Sequence, residues 1–189
     1  MTLSQPTNDL VIGVLNQITS DNMTTYEKVM ACHDYLINSS SYGGKGETLM
    51  IDEGIMSTFA CLEDYNAFLI LNSHVGVCDD YTAAFVALTR AIGLESYIMG
   101  GQTTKASGGY TPHAWAVIFA GGQEYVFDPQ IDDNLTKGGP ISYIRFGKRY
   151  SEVPGKYIPD GNYRCVSNEF NPDSATWFTD YTVVTEVIY

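Results

Sequence analysis

The sequence predicts an α+β fold with a mostly antiparallel sheet, and three observations predict it. Helical periodicity comes early in the chain, behind Thr24 and again behind Cys78. Strand-like runs come later, and two of them flank Gly121-Gly122, the signature of a two-residue hairpin turn. Helices followed by strands, rather than alternating with them, form segregated layers instead of parallel βαβ units.

The chain starts with a polar stretch, and residues 3–8 read as a frayed tail. Thr24-Thr25-Tyr26-Glu27 is a capping box, a Thr N-cap with Glu three residues on. Behind it Val29, Met30, His33, Leu36 and Ile37 recur at helical spacing, which gives a helix over 24–38. Residues 42–57 are Gly-rich and polar, as a surface loop is. A short helix follows over 64–72, capped by Asp64, with Ala67, Phe68 and Leu71 inward. Residues 72–77 turn into Cys78. From there Tyr81, Ala84, Phe85, Leu88 and Ile92 mark one face of a helix that Gly93 terminates. Residues 94–99 read as a strand stopped by Gly100-Gly101, and 102–111 as a Ser/Gly/Thr-rich loop of the kind that borders a substrate site. Strands over 112–119 and 124–128 form the hairpin. The remainder is loop-rich, with strands expected over 141–146 and 182–188. No repeat or boundary divides the chain. One domain over 1–189 is expected, with its core over about 22–150 and a C-terminal extension over 150–189 that completes the sheet.

Length and composition narrow the function classes. The 189 residues supply enough core for one domain, and the net charge of −12 opposes nucleic-acid phosphates. No apolar run approaches the roughly 18 residues of a membrane span. Residues 1–8 lack a basic-then-apolar leader pattern, while the lysine-poor, tyrosine-rich composition points to an extracytoplasmic or secreted setting. The four cysteines, Cys32, Cys61, Cys78 and Cys165, form no C-x-x-C pair, which argues against a structural zinc or thioredoxin-type site. With Cys78 a free thiol, at most one disulfide remains. Cys32 and Cys61 read as buried and reduced.

The chemistry rests on an ordered trio: Cys78 opening a helix, His113 on one hairpin strand and Asp128 at the end of the other. A thiol has an ordinary pKa near about 8.5, and a helix N-terminus and a nearby imidazole both favour thiolate. An acid then orients and stabilises the imidazolium. A two-residue turn at Gly121-Gly122 sets Trp115 opposite Asp128, with His113 on the same face one diagonal step away. Diagonal neighbours lie roughly 7–8 Å apart at the backbone. A one-residue slip would separate them. Asp79 and Asp80 favour the helix start but oppose an adjacent thiolate.

Taken together, these residues resemble the transglutaminase-like superfamily of papain-type cysteine enzymes. The likeness runs over Gly76-Val77-Cys78-Asp79-Asp80-Tyr81-Thr82-Ala83-Ala84-Phe85, Leu88-Thr89-Arg90-Ala91-Ile92-Gly93-Leu94, Gly100-Gly101, His113-Ala114-Trp115 and Tyr125-Val126-Phe127-Asp128-Pro129. His33-Asp34-Tyr35 and Tyr42 resemble the family's N-terminal helix region. The resemblance implies a papain/transglutaminase-like core, with N-terminal helices packed on the sheet and the nucleophile at a helix N-terminus. It implies Cys78 as nucleophile, His113 as base and Asp128 as orienting acid. Ala116 and Gln130 depart from the family pattern, in which a polar residue and a threonine are usual.

The resulting expectation is a cofactor-free cysteine enzyme acting on an amide carbonyl of a protein or peptide substrate. Hydrolysis is favoured over crosslinking, since nothing in the sequence marks an amine-acceptor site. The rival expectation is a non-catalytic, surface-displayed module that binds protein or glycan and keeps the trio as a relic. His74 and Trp115 are the candidates for substrate contact, read first as a solvated loop histidine and a core aromatic. His33 reads as a core or rim histidine. Asp128, Asp132 and Asp133 lack the ligand spacing of a known calcium loop.

Overall fold

A computed structural model describes residues 1–43 and 58–164. The elements run α1 (Gln5–Ile18), α2 (Thr25–Ser39), β1 (Ser41–Tyr42), α3 (Leu62–Ser73), β2 (Val75–Gly76), α4 (Cys78–Ala91), β3 (Ser96–Thr104), β4 (Tyr110–Ala120), β5 (Gln123–Phe127), α5 (Pro129–Thr136) and β6 (Tyr157–Arg164), with a 3-10 turn at Tyr150–Glu152. Among the described residues the main sheet has the order β5-β4-β3-β6, every neighbour antiparallel, and β1 pairs with β2 in a separate parallel ribbon. The α+β class and the antiparallel sheet are those the sequence predicts. Most of the expected loop over 42–57, Cys165 and the expected strand over 182–188 lie outside the described residues.

The central helix is α4. Residues from Asp80 to Thr89 are all buried, because helices cover one side of it and the sheet the other. Its sheet-facing partners on β4 are Ala114, Ala116, Ile118 and Ala120, mostly small, which lets the helix approach closely. The departure at Ala116 is therefore a packing position under the helix. The helix ends as expected at Gly93. Gly93 N–H donates to the Arg90 carbonyl at 2.9 Å and Leu94 N–H to the Thr89 carbonyl at 3.1 Å, with Gly93 at φ +96°. The opposite sheet face carries a second cluster of Tyr97, Met99, Trp115, Val117, Phe119, Val126, Val153 and Tyr157. β4 is therefore buried on both sides.

α2 begins at the expected capping box: Thr24 Oγ1 accepts the Glu27 N–H at 3.2 Å, and Glu27 accepts the Thr24 N–H at 2.8 Å. The hairpin turns at Gly121 (φ +56°) and Gly122 (φ +74°), both in the left-handed region that a type I′ turn requires.

Several expectations are corrected. The N-terminal stretch is not a tail. α1 starts with Pro6 in its first turn and buries Thr7, Val11 and Val14, while Ser4 N–H donates to the Asp64 carboxylate at 2.9 Å. Asp64 is not the cap of α3. Cys61 holds that position, and Asp64, in the first turn, accepts the Ala60 N–H at 2.8 Å. Ala67 and Leu71 are buried there and Phe68 is half-buried. β3 does not stop at Gly100-Gly101 but runs through it to Thr104, so the loop shortens to 105–109. The glycines serve close approach instead. A Cβ on Gly101 would lie 2.2 Å from the Ile158 carbonyl oxygen and 2.9 Å from the Trp115 ring. Beside it the β3–β6 pairing shifts register. Residues 141–146 form irregular chain and a turn rather than a strand. The stretch after Asp128 is not all loop: Asp128-Pro129 opens a helix, α5.

Candidate active site

Cys78 is the first residue of α4, with Val77 as N-cap. The Val77 side chain offers no acceptor, so the helix start is closed from within: Asp80 Oδ2 accepts the Val77 N–H at 2.8 Å. Burial first, against that hydrogen bond, and then the charge of Asp79 push the Asp80 carboxyl up to about 6. Gly76 must lack a side chain here, because a Cβ would sit 2.8 Å from Asp80 Cβ. Gly76 pairs in turn with Tyr42 across the parallel ribbon. Tyr42 is half-exposed, and burial followed by the charges of Cys78 and Asp80 raises its hydroxyl pKa. Thr82 fastens the first turn to the sheet: its hydroxyl lies 2.7 Å from the Cys78 carbonyl oxygen and 3.1 Å from that of Ala114, next to His113.

His113 lies on β4 opposite Gly101 of β3. The β4–β5 register runs from Ala120 opposite Gln123 to Ala116 opposite Phe127, the register that a two-residue turn sets. The diagonal is closed by the side chains: His113 Nε2 and Asp128 Oδ2 are 2.8 Å apart, both buried. That bond leaves Nδ1 as the ring nitrogen not engaged by Asp128. Burial alone would lower the His113 pKa. The charge and hydrogen bond of Asp128 outweigh it, and the hydrogen-bonding and charge of the Cys78 side chain add to them, so the imidazole is raised to about 10. These influences favour the imidazolium form of the ring. The structure thus brings Cys78, His113 and Asp128 together.

Asp128 is also the N-cap of α5, where Oδ1 accepts the Ile131 N–H at 3.0 Å. Oδ2 accepts a second donor, the Tyr157 hydroxyl of β6, at 2.7 Å. At the other end of β6, Arg164 Nη2 lies 2.6 Å from Asp79 Oδ1, while Asp79 Oδ2 is 3.8 Å from Cys78 Sγ. Asp80 therefore turns back to the backbone, and Asp79 stays near the sulfur but is balanced by a cation. Tyr157 and Arg164 escaped sequence reasoning because Pro159 and Gly161 interrupt their strand.

The other candidates fall elsewhere. Trp115 is buried, with its ring 4.7 Å from Tyr157 and its indole N–H donating to the Tyr150 hydroxyl at 3.0 Å, so it packs beneath the site. His74 is exposed in the left-handed C-cap of α3. His33 is a core histidine, 3.2 Å from both Asp132 and Asp34. Asp133 accepts the Tyr81 hydroxyl at 2.7 Å. Gln130 is buried in the first turn of α5, and its side-chain nitrogen has no partner among the described residues. Among the described residues no cluster of three or more His, Cys, Asp or Glu side chains has metal-site geometry.

The model of the Transglutaminase-like superfamily matches residues 12–129, a span that contains all three of these side chains. The chain belongs to the transglutaminase-like superfamily. Its α+β architecture, helices packed on an antiparallel sheet, is the transglutaminase-like, cysteine-type enzyme fold. Solved structures are similar to it. One is described as a TGase, 18% identical over 66% of this chain and 30% of that one, with a TM-score of 0.41. Another is described as a candidate cysteine protease from Cytophaga hutchinsonii, 19% identical over 92% of this chain and 59% of that one, with a TM-score of 0.49. The transglutaminase-like chain thus spans about a third and about three fifths of these two structures. A comparison with curated proteins returns no match.

Proposed function

We propose that this domain transfers acyl groups through a Cys78 thioester, with His113 as proton carrier and Asp128 as its orienting acid. The observation that carries the reading is the buried 2.8 Å His113–Asp128 bond on a ring that also interacts with the thiol at the N-terminus of α4. The His113 imidazolium and the helix N-terminus both favour a thiolate at Cys78. The sulfur attacks the carbonyl carbon of a peptide or side-chain amide. The Cys78 and Asp79 N–H groups, which precede the first i→i−4 bond of α4, are the candidate donors to the developing oxyanion, where one such donor is worth about 2.7–4 kcal/mol; the Asp80 N–H is already given to the Val77 carbonyl at 3.0 Å. The C–N bond breaks, His113 gives its proton to the departing amine, and the acyl group remains on sulfur. Water then attacks the thioester with His113 accepting its proton. The acid leaves and the thiolate–imidazolium pair is restored. An amine in place of water would give transamidation; hydrolysis is the proposed outcome.

The test compares the protein with Cys78→Ala on peptide libraries, with and without a primary amine, read by intact-mass and product mass spectrometry. Cleavage or deamidation that needs Cys78, with an acyl adduct on Cys78, is expected. Amine incorporation would move the assignment from hydrolysis to transamidation. No adduct and no turnover in any arm would overturn the reading in favour of a binding module.

A further inference from the structure

We infer that Tyr157, which lies beyond the family-matched segment, is a positioning residue of this site. Through its hydroxyl bond to Asp128 it sets how tightly His113 holds its proton. The inference rests on the acyl-transfer reading above. Three donors fix the Asp128 carboxylate: His113 Nε2 at 2.8 Å and the Tyr157 hydroxyl at 2.7 Å on Oδ2, and the Ile131 N–H at 3.0 Å on Oδ1. The carboxylate is fully buried, so water cannot substitute for a missing donor. The phenol is itself held. Its ring lies 4.7 Å from that of Trp115, and the Arg145 guanidinium sits 5.8 Å from its centroid. Burial first, and then the Asp128 charge, keep its hydroxyl protonated, so it can only donate to a carboxylate.

The consequence follows from two donors sharing one oxygen. A donor on a carboxylate spreads its charge and weakens it as an acceptor for the other. With the hydroxyl present, Asp128 aims the imidazole without gripping its proton as hard as a bare buried carboxylate would. Without it, ionised Asp128 loses stabilisation, most of all when His113 is neutral. The His113 proton then becomes harder to release to a leaving amine. The placement explains why a strand from a distant part of the chain crosses the site: Gly101, opposite His113, has no side chain, and β6 comes close enough for Tyr157 to reach Asp128.

Tyr157→Phe keeps the ring against Trp115 and removes only the hydroxyl. Two readouts need no known substrate. One is iodoacetamide alkylation of Cys78 against pH, with Cys61 as internal reference. The other is a titration of the His113 ring by NMR of ¹⁵N-labelled histidine, assigned with His113→Gln. The expected result in Tyr157→Phe is a His113 midpoint roughly half a pH unit or more higher, with the upper limb of the alkylation profile moving with it. On a substrate found as above, kcat should fall roughly tenfold to a hundredfold with KM little changed. If the phenylalanine variant does not fold, 3-fluorotyrosine at position 157 retains every contact, strengthens the donor and should move the midpoint downward. A wild-type midpoint in the folded variants, with Cys78 reactive, overturns the role of Tyr157 alone. Cys78 labelling no faster than Cys61 in the wild type overturns the acyl-transfer reading, and the positioning role with it.

Discussion

Asp128 uses two oxygens for three tasks: it caps α5, orients His113 and anchors Tyr157. The tasks separate by substitution. Asparagine is as good an N-cap as aspartate and offers the Tyr157 hydroxyl an acceptor, so Asp128→Asn should keep the fold. It removes the charge that outweighs the burial of His113. The imidazole should then titrate well below its wild-type midpoint, because its burial is opposed only by the smaller hydrogen-bonding and charge of Cys78. Turnover should fall on the order of 10⁴-fold, the scale seen when a triad acid loses its charge. Kinetics on any substrate, beside the His113 NMR titration, check this. Activity within tenfold of wild type would contradict the assigned role. At this scale the trio is legible in the sequence because each member opens, follows or ends a locally signalled element. Thr82, Tyr157 and Arg164 are not, because their partners are set by tertiary approach. Tyr157 meets Asp128 across 29 residues, and Arg164 meets Asp79 across 85.

The same division holds for elements. α2, α4 and the hairpin are readable because a capping box, a terminating glycine and a Gly-Gly turn are local and specific signals. α5 is not, since Asp-Pro starts turns and helices alike. β6 is not, since Pro159 and Gly161 read as breaks, and an edge strand tolerates both. That strand nevertheless corrects an electrostatic fault in α4. First-turn acids help a helix, but Asp79 Oδ2 lies 3.8 Å from Cys78 Sγ and opposes a thiolate there. Arg164 at 2.6 Å from the other oxygen, with Glu63 3.9 Å from the same guanidinium, answers that charge. The pair is partly exposed, so its effect is moderated by solvent. Arg164→Gln should slow iodoacetamide labelling of Cys78 at pH 7 by roughly threefold to tenfold. The double variant with Asp79→Asn should recover most of the wild-type rate. A double variant as slow as Arg164→Gln would show that Arg164 acts on the strand rather than on the charge at the thiol.

At the scale of the whole molecule, the buried titratable groups lean one way. His113 is raised to about 10 and Asp80 to about 6. His33 is raised because Asp132 and Asp34 outweigh its burial, and Asp132 and Asp133 are raised by their own burial. Each of these groups binds its proton more tightly folded than unfolded. Stability changes with pH in proportion to protons bound unfolded minus folded, so every one of these terms makes stability fall as pH rises. The Asp80 contribution is complete below about 3.9 and lost as pH climbs through about 6. That of His113 is complete below about 6.5 and lost on the way to about 10. Glu27 and Glu152 are lowered and act in the opposite sense, but both lie where solvent screens them. The net charge of −12 adds self-repulsion that grows with pH. The urea midpoint, measured under reducing conditions, should therefore peak on the acid side of neutral and decline continuously from pH 6 to pH 9. His113→Gln should flatten the part of that decline above about pH 6.5, because glutamine has no proton to lose. A midpoint that is level or rising over this range in the wild type would mean that His113 and His33 are neutral in the folded protein. The imidazolium assigned to the site would then have to be abandoned.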